Sequence, residues 1–581
     1  MPLEQDKQGG FKYPFGEEMS SGLFPDLFSS KIPLWEEGEN VHFTDIGVQK
    51  INGWAEIADT GNSKPIRGMV QLIEDLVDET VYVGDLDSLY RVQTPLNTIS
   101  TVGTGYNLSA DSGGSVWDAA ASTWDLGTSA WDSGVVQADH WSMITYGSFV
   151  LATSGADNPQ IKKTPGNFTS MVAAVNLISI VSGGTGYVAG DVLTLTGGDG
   201  TGATATVISV TGGVITSVGM TTGGTGYTTV PTGHTSSGAS TDATFTFAVS
   251  NMDVTSVEIF IKRGPHVLGF NTSVSNKEFI WSAADDVDDW VTSASNLAGQ
   301  LEIRELNTPI IAAVPLGNRI AVYGVDQMFL VNYLGNDLVF GYQPAINGIG
   351  AVSKKSVVPV GRKNYGLSEQ GFFVTDGMDF EYIDEPAMRN YFQDNVSIGQ
   401  IAKAHGFHNE EHNQIRWYFP TDSTAITKGV TYNYRKGTWS IVVNDRSSGQ
   451  ERQILTSPVS GSEIGKVYQE SVGNNADTLA LSAWVRTKPL NMGNADIVKE
   501  LDSVRIGCGP ECAGVQFRVG WAASENGAVT WGAYTDAPSG FDFYSLRTAG
   551  RWLLFELYSD TLNAEWEIQA IEFIGRMEGT R

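Results

Sequence analysis

Two cysteines in 581 residues, Cys508 and Cys512 in the run GCGPEC, exclude a disulfide framework, and one CxxxC pair is a poor zinc site. Both read as small residues in a Gly-Pro turn. Basic residues are scarce as well: 36 Lys and Arg stand against 65 Asp and Glu, a net charge of −29. This argues against gripping nucleic acid by neutralising its phosphates. A protein that surrounds DNA without gripping it stays open. No apolar run reaches the ~18 residues that a membrane-spanning helix needs. The start, MPLEQDKQGGFKYPFGEE, lacks the basic-then-apolar pattern of a secretory signal, so a soluble, cytoplasmically made chain is expected. Helical periodicity is nearly missing, with short candidates only at 385–392 and 396–404. No phosphate loop, nucleophile elbow or dinucleotide fingerprint occurs, so neither an enzyme nor a cofactor is expected.

Glycine, by contrast, is abundant at 67 residues, above the ~7% norm. It punctuates short runs of alternating polarity. Segments 79–93, 256–271, 318–333, 363–383 and 413–442 each read as paired strands across a turn. Repeated hairpins of this kind predict an all-β sandwich, barrel or propeller.

Two internal repeats stand out. GGTGY occurs at 183–187 and at 223–227, and GATATVISV (202–210) shares its offset with DATFTFAVS (242–250). Residues 176–250 therefore read as an inserted Gly-rich β module with turn glycines; no Lys-Ser/Thr follows to make a phosphate loop. Trp-Asp recurs at 117, 124 and 131. Gly127 and Gly134 argue against a helix there, and short strands or loops anchored by each Trp are expected; a sugar-stacking row is the alternative.

Two polar clusters could carry chemistry. His405, His408 and His412 lie beside Glu410 and Glu411 in AHGFHNEEHNQIRWYFP. No Glu directly follows a His, as a metalloprotease helix requires, and the run continues into a strand, so a polar turn is expected and no metal site is assigned. Asp285, Asp286, Asp288 and Asp289 in DDVDDW lack the EF-hand spacing and read as an exposed acidic loop. No catalytic residue is assigned.

The opening segment 34–54, LWEEGENVHFTDIGVQKINGW, reads as two or three short strands. Its Trp35, Gly38, Asn40, Val41, Phe43, Asp45, Gly47, Lys50, Gly53 and Trp54 resemble the N-terminal signature of tail nozzle or hub proteins of short-tailed bacteriophages, also called packaged-DNA stabilisation proteins. Segments 279–290, 348–377, 408–440 and 547–581 resemble later parts of that family, in the same order. The Trp-Asp triplet and 176–250 depart from it.

The resemblance implies a β-propeller core, to which the repeat adds the inserted module and the closing strands a C-terminal β region. Together these readings divide the chain into an N-terminal segment (1–60), a first propeller part with the Trp-Asp repeat (61–175), the insertion (176–250), the remaining propeller (251–480) and a region closing the propeller or forming a platform (481–581). The N-terminal strand is a candidate to complete the last blade. Also implied are a virion tail location, a homohexameric ring and docking on a head-to-tail adaptor. Tail fibres, spikes or a needle are the further partners. The resemblance further implies that packaged DNA passes through the lumen without sequence-specific contacts. The alternatives are a carbohydrate-binding or carbohydrate-cleaving propeller and a secreted adhesin.

Overall fold

The computed structural model describes the chain except residues 1–3, 6–9, 16, 21, 24–33, 75–77, 95–96, 107, 109–139, 164, 239, 241, 294–295, 336–337, 422–424, 509–511, 513, 538–542 and 579–581. The Trp-Asp triplet lies outside the described residues.

The chain is all-β, with a seven-bladed propeller at its centre. Six blades are four-stranded antiparallel meanders in chain order. Their innermost strands are Gly68–Glu74, Ser142–Tyr146, Val257–Arg263, Ala312–Leu316, Val357–Val360 and His405–Asn409. Blade seven takes three strands, Arg446–Gln450, Val459–Ser462 and Lys466–Glu470, and is completed by Trp54–Asp59 from the far end of the chain. Each innermost strand packs against those of both neighbouring blades, and the ring closes between Arg446–Gln450 and Gly68–Glu74.

Blades stacked face to face bury both sides of their middle strands. Gly371–Thr375 and Gln414–Tyr418 are therefore buried throughout instead of alternating. Apolar clusters fill the gaps: Phe270, Phe279, Val322 and Phe329 between blades three and four, and Phe372, Trp417 and Trp439 between five and six. Helix Pro386–Asn395 caps the latter with Met388 and Phe392, and a 3-10 turn follows at Ile398–Lys403. Pro386 suits the first helical turn, where its missing N–H leaves no gap.

The seam between blades six and seven is different. Glu470, 1% exposed, accepts from Arg416 at 3.1 Å, from Arg446 at 2.6 Å and from Ser460 at 2.5 Å. The Arg446 guanidinium lies between the rings of Trp54 and Tyr468, 4.6 and 4.4 Å from their centroids.

Residues 481–581 do not close the propeller. Their strands join the N-terminal strands Gly10–Phe15, Trp35–Glu39, Val41–Phe43 and Val48–Lys50 in two sheets that share one core containing Trp35, Phe517, Phe555, Trp566 and Phe573. The first segment is thus split: its early strands belong to this sandwich, and Trp54–Asp59 belongs to the propeller. Cys508 and Cys512 are bonded to each other at the end of one sandwich strand, a pairing that the turn reading did not include.

The inserted module leaves between blades two and three. Its stem pairs Ala174–Ser182 with Thr244–Ser250, and it carries a four-stranded sheet over a core with Tyr187 and Tyr227. These are the tyrosines of the two GGTGY copies. In each copy two glycines hold positive φ, 60° and 80° at Gly184 and Gly186, 66° and 77° at Gly224 and Gly226. Such turns favour glycine because a Cβ clashes there.

Candidate functional site

The innermost strands enclose an axial cavity of 390 Å³. Its lining is largely apolar, with Ile144, Phe260, Val314, Val358 and Phe407 contributed by successive blades. The trailing ends of the strands supply Lys262, His408, Glu451 and Gln453. Among the lining residues Glu451 is the single carboxylate, and His408 Nδ1 lies 3.4 Å from it.

The leading ends supply Lys354 and Lys355. Lys354 Nζ donates to Glu258 Oε2 at 2.8 Å and to the Ser154 carbonyl at 3.3 Å, joining blades five, three and two. Burial, and then repulsion from Lys354, push the Lys355 ammonium down to about 8. Beside them Arg67, His140 and His405 are buried at the starts of blades one, two and six. The cavity thus ends on a polar plug at one side and a wetter mouth at the other.

The three histidines singled out by spacing do not converge. His405 and His408 sit three apart on one strand, so they leave it on opposite faces. His405 stacks on Tyr418 with centroids 5.3 Å apart. His408 Nε2 lies 3.2 Å from the Tyr434 hydroxyl. His412 lies in the following turn against His42, ring centroids 5.4 Å apart. Among the described residues no three His, Cys, Asp or Glu side chains are placed to hold a metal ion.

The acidic run is not a free loop. Asp288 pairs with Lys163, accepts from Asn176 Nδ2 at 2.6 Å and from Ser250 Oγ at 3.0 Å. Asn176 and Ser250 belong to the two stem strands of the inserted module. Asp288 therefore clasps the module to blades two and three. Asp289 accepts from Asn251 and Asn296, at 2.8 and 2.7 Å. Asp286 Oδ1 accepts the Asp288 N–H at 2.9 Å. Asp285 Oδ1 lies 3.4 Å from the Tyr146 hydroxyl.

Several residues of the opening motif meet distant parts of the chain. Gly38, Gly47 and Gly53 lie where a Cβ would come within 2.9, 2.1 and 1.9 Å of the backbone oxygens of Trp484, Ile568 and Asn475. Lys50 Nζ donates to the Ala564 carbonyl at 2.7 Å and the Asn474 carbonyl at 3.0 Å, and burial pushes it down to about 8. Trp35 Nε1 donates to the Met19 carbonyl at 3.0 Å. Asp45 pairs with Lys436 at 2.8 Å.

The plug residues Arg67, His140, Glu258, Lys354 and Lys355 escaped the sequence reading. Each sits just before or at the start of a short strand, and that placement, repeated from blade to blade, is the one available signal.

No family model matches the chain, and no curated protein matches it. Among solved structures it is similar to a glycoside hydrolase at 10% identity, with 74% of this chain and 96% of that one covered and a TM-score of 0.21. It is similar to an exo-β-1,3-galactanase from Phanerochaete chrysosporium at 9% identity, over 75% and 95% of the two chains, TM-score 0.19. A third likeness is to PorZ, a surface component of the type-IX secretion system of Porphyromonas gingivalis, at 9% identity over 89% and 75%, TM-score 0.27.

Proposed function

We propose that this chain is a structural protein of a short-tailed phage tail, a nozzle or hub subunit that rings the DNA exit channel and carries fibres, spikes or a needle. One observation supports this most. The segments that carry the resemblance fall in order along a single architecture: 34–54 links sandwich and propeller, 279–290 lies in blade three, 348–377 runs into and through blade five, 408–440 lies in blade six, and 547–578 supplies sandwich strands. The resemblance thus touches the sandwich and three blades in chain order, and leaves out the inserted module.

The axial cavity is not the DNA path. A duplex whose major groove alone is about 12 Å wide does not fit a 390 Å³ cavity plugged at one end. DNA would run between copies, past acidic faces that offer phosphates few counter-charges. Negative-stain class averages of the protein, alone and with its adaptor, test the reading. A six-fold ring with a duplex-sized hole is expected. A chain that stays monomeric beside the adaptor removes the proposal.

The cavity favours a second reading, carbohydrate binding, because its volume and mixed lining suit a small ligand. Cleavage is less well served: glycosidic hydrolysis commonly uses two carboxylates, and the described lining holds Glu451 alone. A glycan array and a hydrolysis assay on the full chain decide this. Binding that Gln453→Ala or Phe407→Ala weakens would support it, and an empty array would end it.

A further inference from the structure

The plug at the leading end of the axis gathers positive charge in a chain of net charge −29. Arg67, His140 and His405 reach it from blades one, two and six, and are 3%, 1% and 2% exposed. The two imidazoles meet with ring centroids 5.7 Å apart. The Lys403 carbonyl accepts from His140 Nε2 at 3.0 Å and lies 3.5 Å from His405 Nδ1. These contacts place the ring protons there. His140 Nδ1, His405 Nε2 and Arg67 Nη1 then have no hydrogen-bond partner among the described residues. Native interiors rarely leave a buried nitrogen unmet, and here three belong to one cluster.

The surrounding charge selects what fills it. Arg67, Lys354 and Lys355 face, among the described residues, two carboxylates, Glu258 and Glu463; Glu258 is engaged by Lys354, and Glu463 lies 3.4 Å from Arg67 Nη2. A metal cation would find two imidazole lone pairs but repulsion from these cations. An anion finds attraction and a donor at Arg67. We propose that this end of the propeller axis holds a small inorganic anion, a halide or compact oxyanion, bound by Arg67, His140 and His405 with the charge of Lys354 and Lys355 behind it.

The site couples binding to protons. Burial, then repulsion from neighbouring cationic groups, holds His405 down to about 3 and His140 well below its ordinary value. A bound anion offsets that repulsion, so the imidazoles take up protons and donate to it. Affinity therefore rises as pH falls.

Titration calorimetry of the full chain with sodium bromide and sodium sulfate, ionic strength held with gluconate, tests this beside a bromide-soaked crystal. Expected are one saturable site, at least threefold tighter at pH 6 than at pH 8, and an anomalous peak beside Arg67. His405→Gln should weaken the pH dependence. Lys355→Met should loosen binding severalfold without lowering the melting temperature in gluconate, because it removes a cation that has no side-chain partner among the described residues. No saturable binding together with no peak overturns the proposal. So does binding unchanged in both variants, or a site that takes zinc and ignores bromide.

Discussion

The side-chain oxygen of Asn40 accepts the Val443 N–H at 2.8 Å while its amide donates to the Ser482 carbonyl at 2.7 Å. One residue thereby fastens blade six to the C-terminal sandwich. Its backbone takes φ 57°, a conformation that asparagine tolerates better than most residues. Asn40→Ala is expected to cost about 2–4 kcal/mol, from unmet buried partners and left-handed strain. Asn40→Gly keeps the conformation and should cost roughly 1 kcal/mol less. Urea midpoints of the two variants check this; equal losses would show that the backbone contributes nothing.

Gly53 tests close approach without backbone strain. A Cβ there would sit 1.9 Å from the Asn475 oxygen, at the crossing between propeller and sandwich. Gly53→Ala should cost about 3 kcal/mol or more. Gly399→Ala, with nothing within 4 Å, should stay within about 0.5 kcal/mol. Thermal melts of both, side by side, read out the difference.

The polar seam between blades six and seven makes Glu470 the acid that two arginines share. Glu470→Ala leaves Arg416 and Arg446 buried without it, and a loss of about 3–5 kcal/mol is expected. Hydrogen exchange should then rise first in Trp54–Asp59 and Lys466–Glu470. Loosening confined to some other blade would contradict the seam.

Acid should weaken the fold well above the carboxylate range. Burial, and next His412, push His42 down to about 3. The unfolded chain binds that proton near pH 6.5, so the neutral ring's contribution is complete above that pH. It is lost as pH falls toward 3, by roughly 1.4 kcal/mol per pH unit for each such histidine. His140 and His405 are pushed the same way. His42→Gln should flatten the slope between pH 6 and 4.5 by about one proton; an unchanged slope would show that His42 titrates normally in the fold.

Much of the fold was legible. Alternation located the hairpins at 79–93, 256–271, 318–333, 363–383 and 413–442, and the GGTGY copies marked the inserted module near its stem at Ala174 and Ser250. The short helix appears at Pro386–Asn395, close to its candidate segment. The plug was not legible, because Arg67, His140, Glu258 and Lys354 come from four distant strand starts and only ring closure brings them together. Spacing misdirected attention at His405, His408 and His412: close in sequence, they are sent apart by the two-residue alternation of a strand and the turn after it. Asp288 looked like one of several loop acids, since its partners Lys163, Asn176 and Ser250 lie more than thirty residues away in the chain.

The closure of blade seven also sets a schedule. Lys466 and its partner Glu56 are 410 residues apart. A ribosome adding about 5–20 residues per second needs roughly 20–80 s between them. Throughout that interval Trp54–Asp59 waits as an unsatisfied edge, beside sandwich strands whose partners emerge later still. Six blades can stack in order as they appear, but the ring has no last blade until its first-made strand is recaptured. A chain built this way gives neighbouring copies on one polysome a chance to exchange that strand, so crowded expression should yield swapped dimers that dilute synthesis does not.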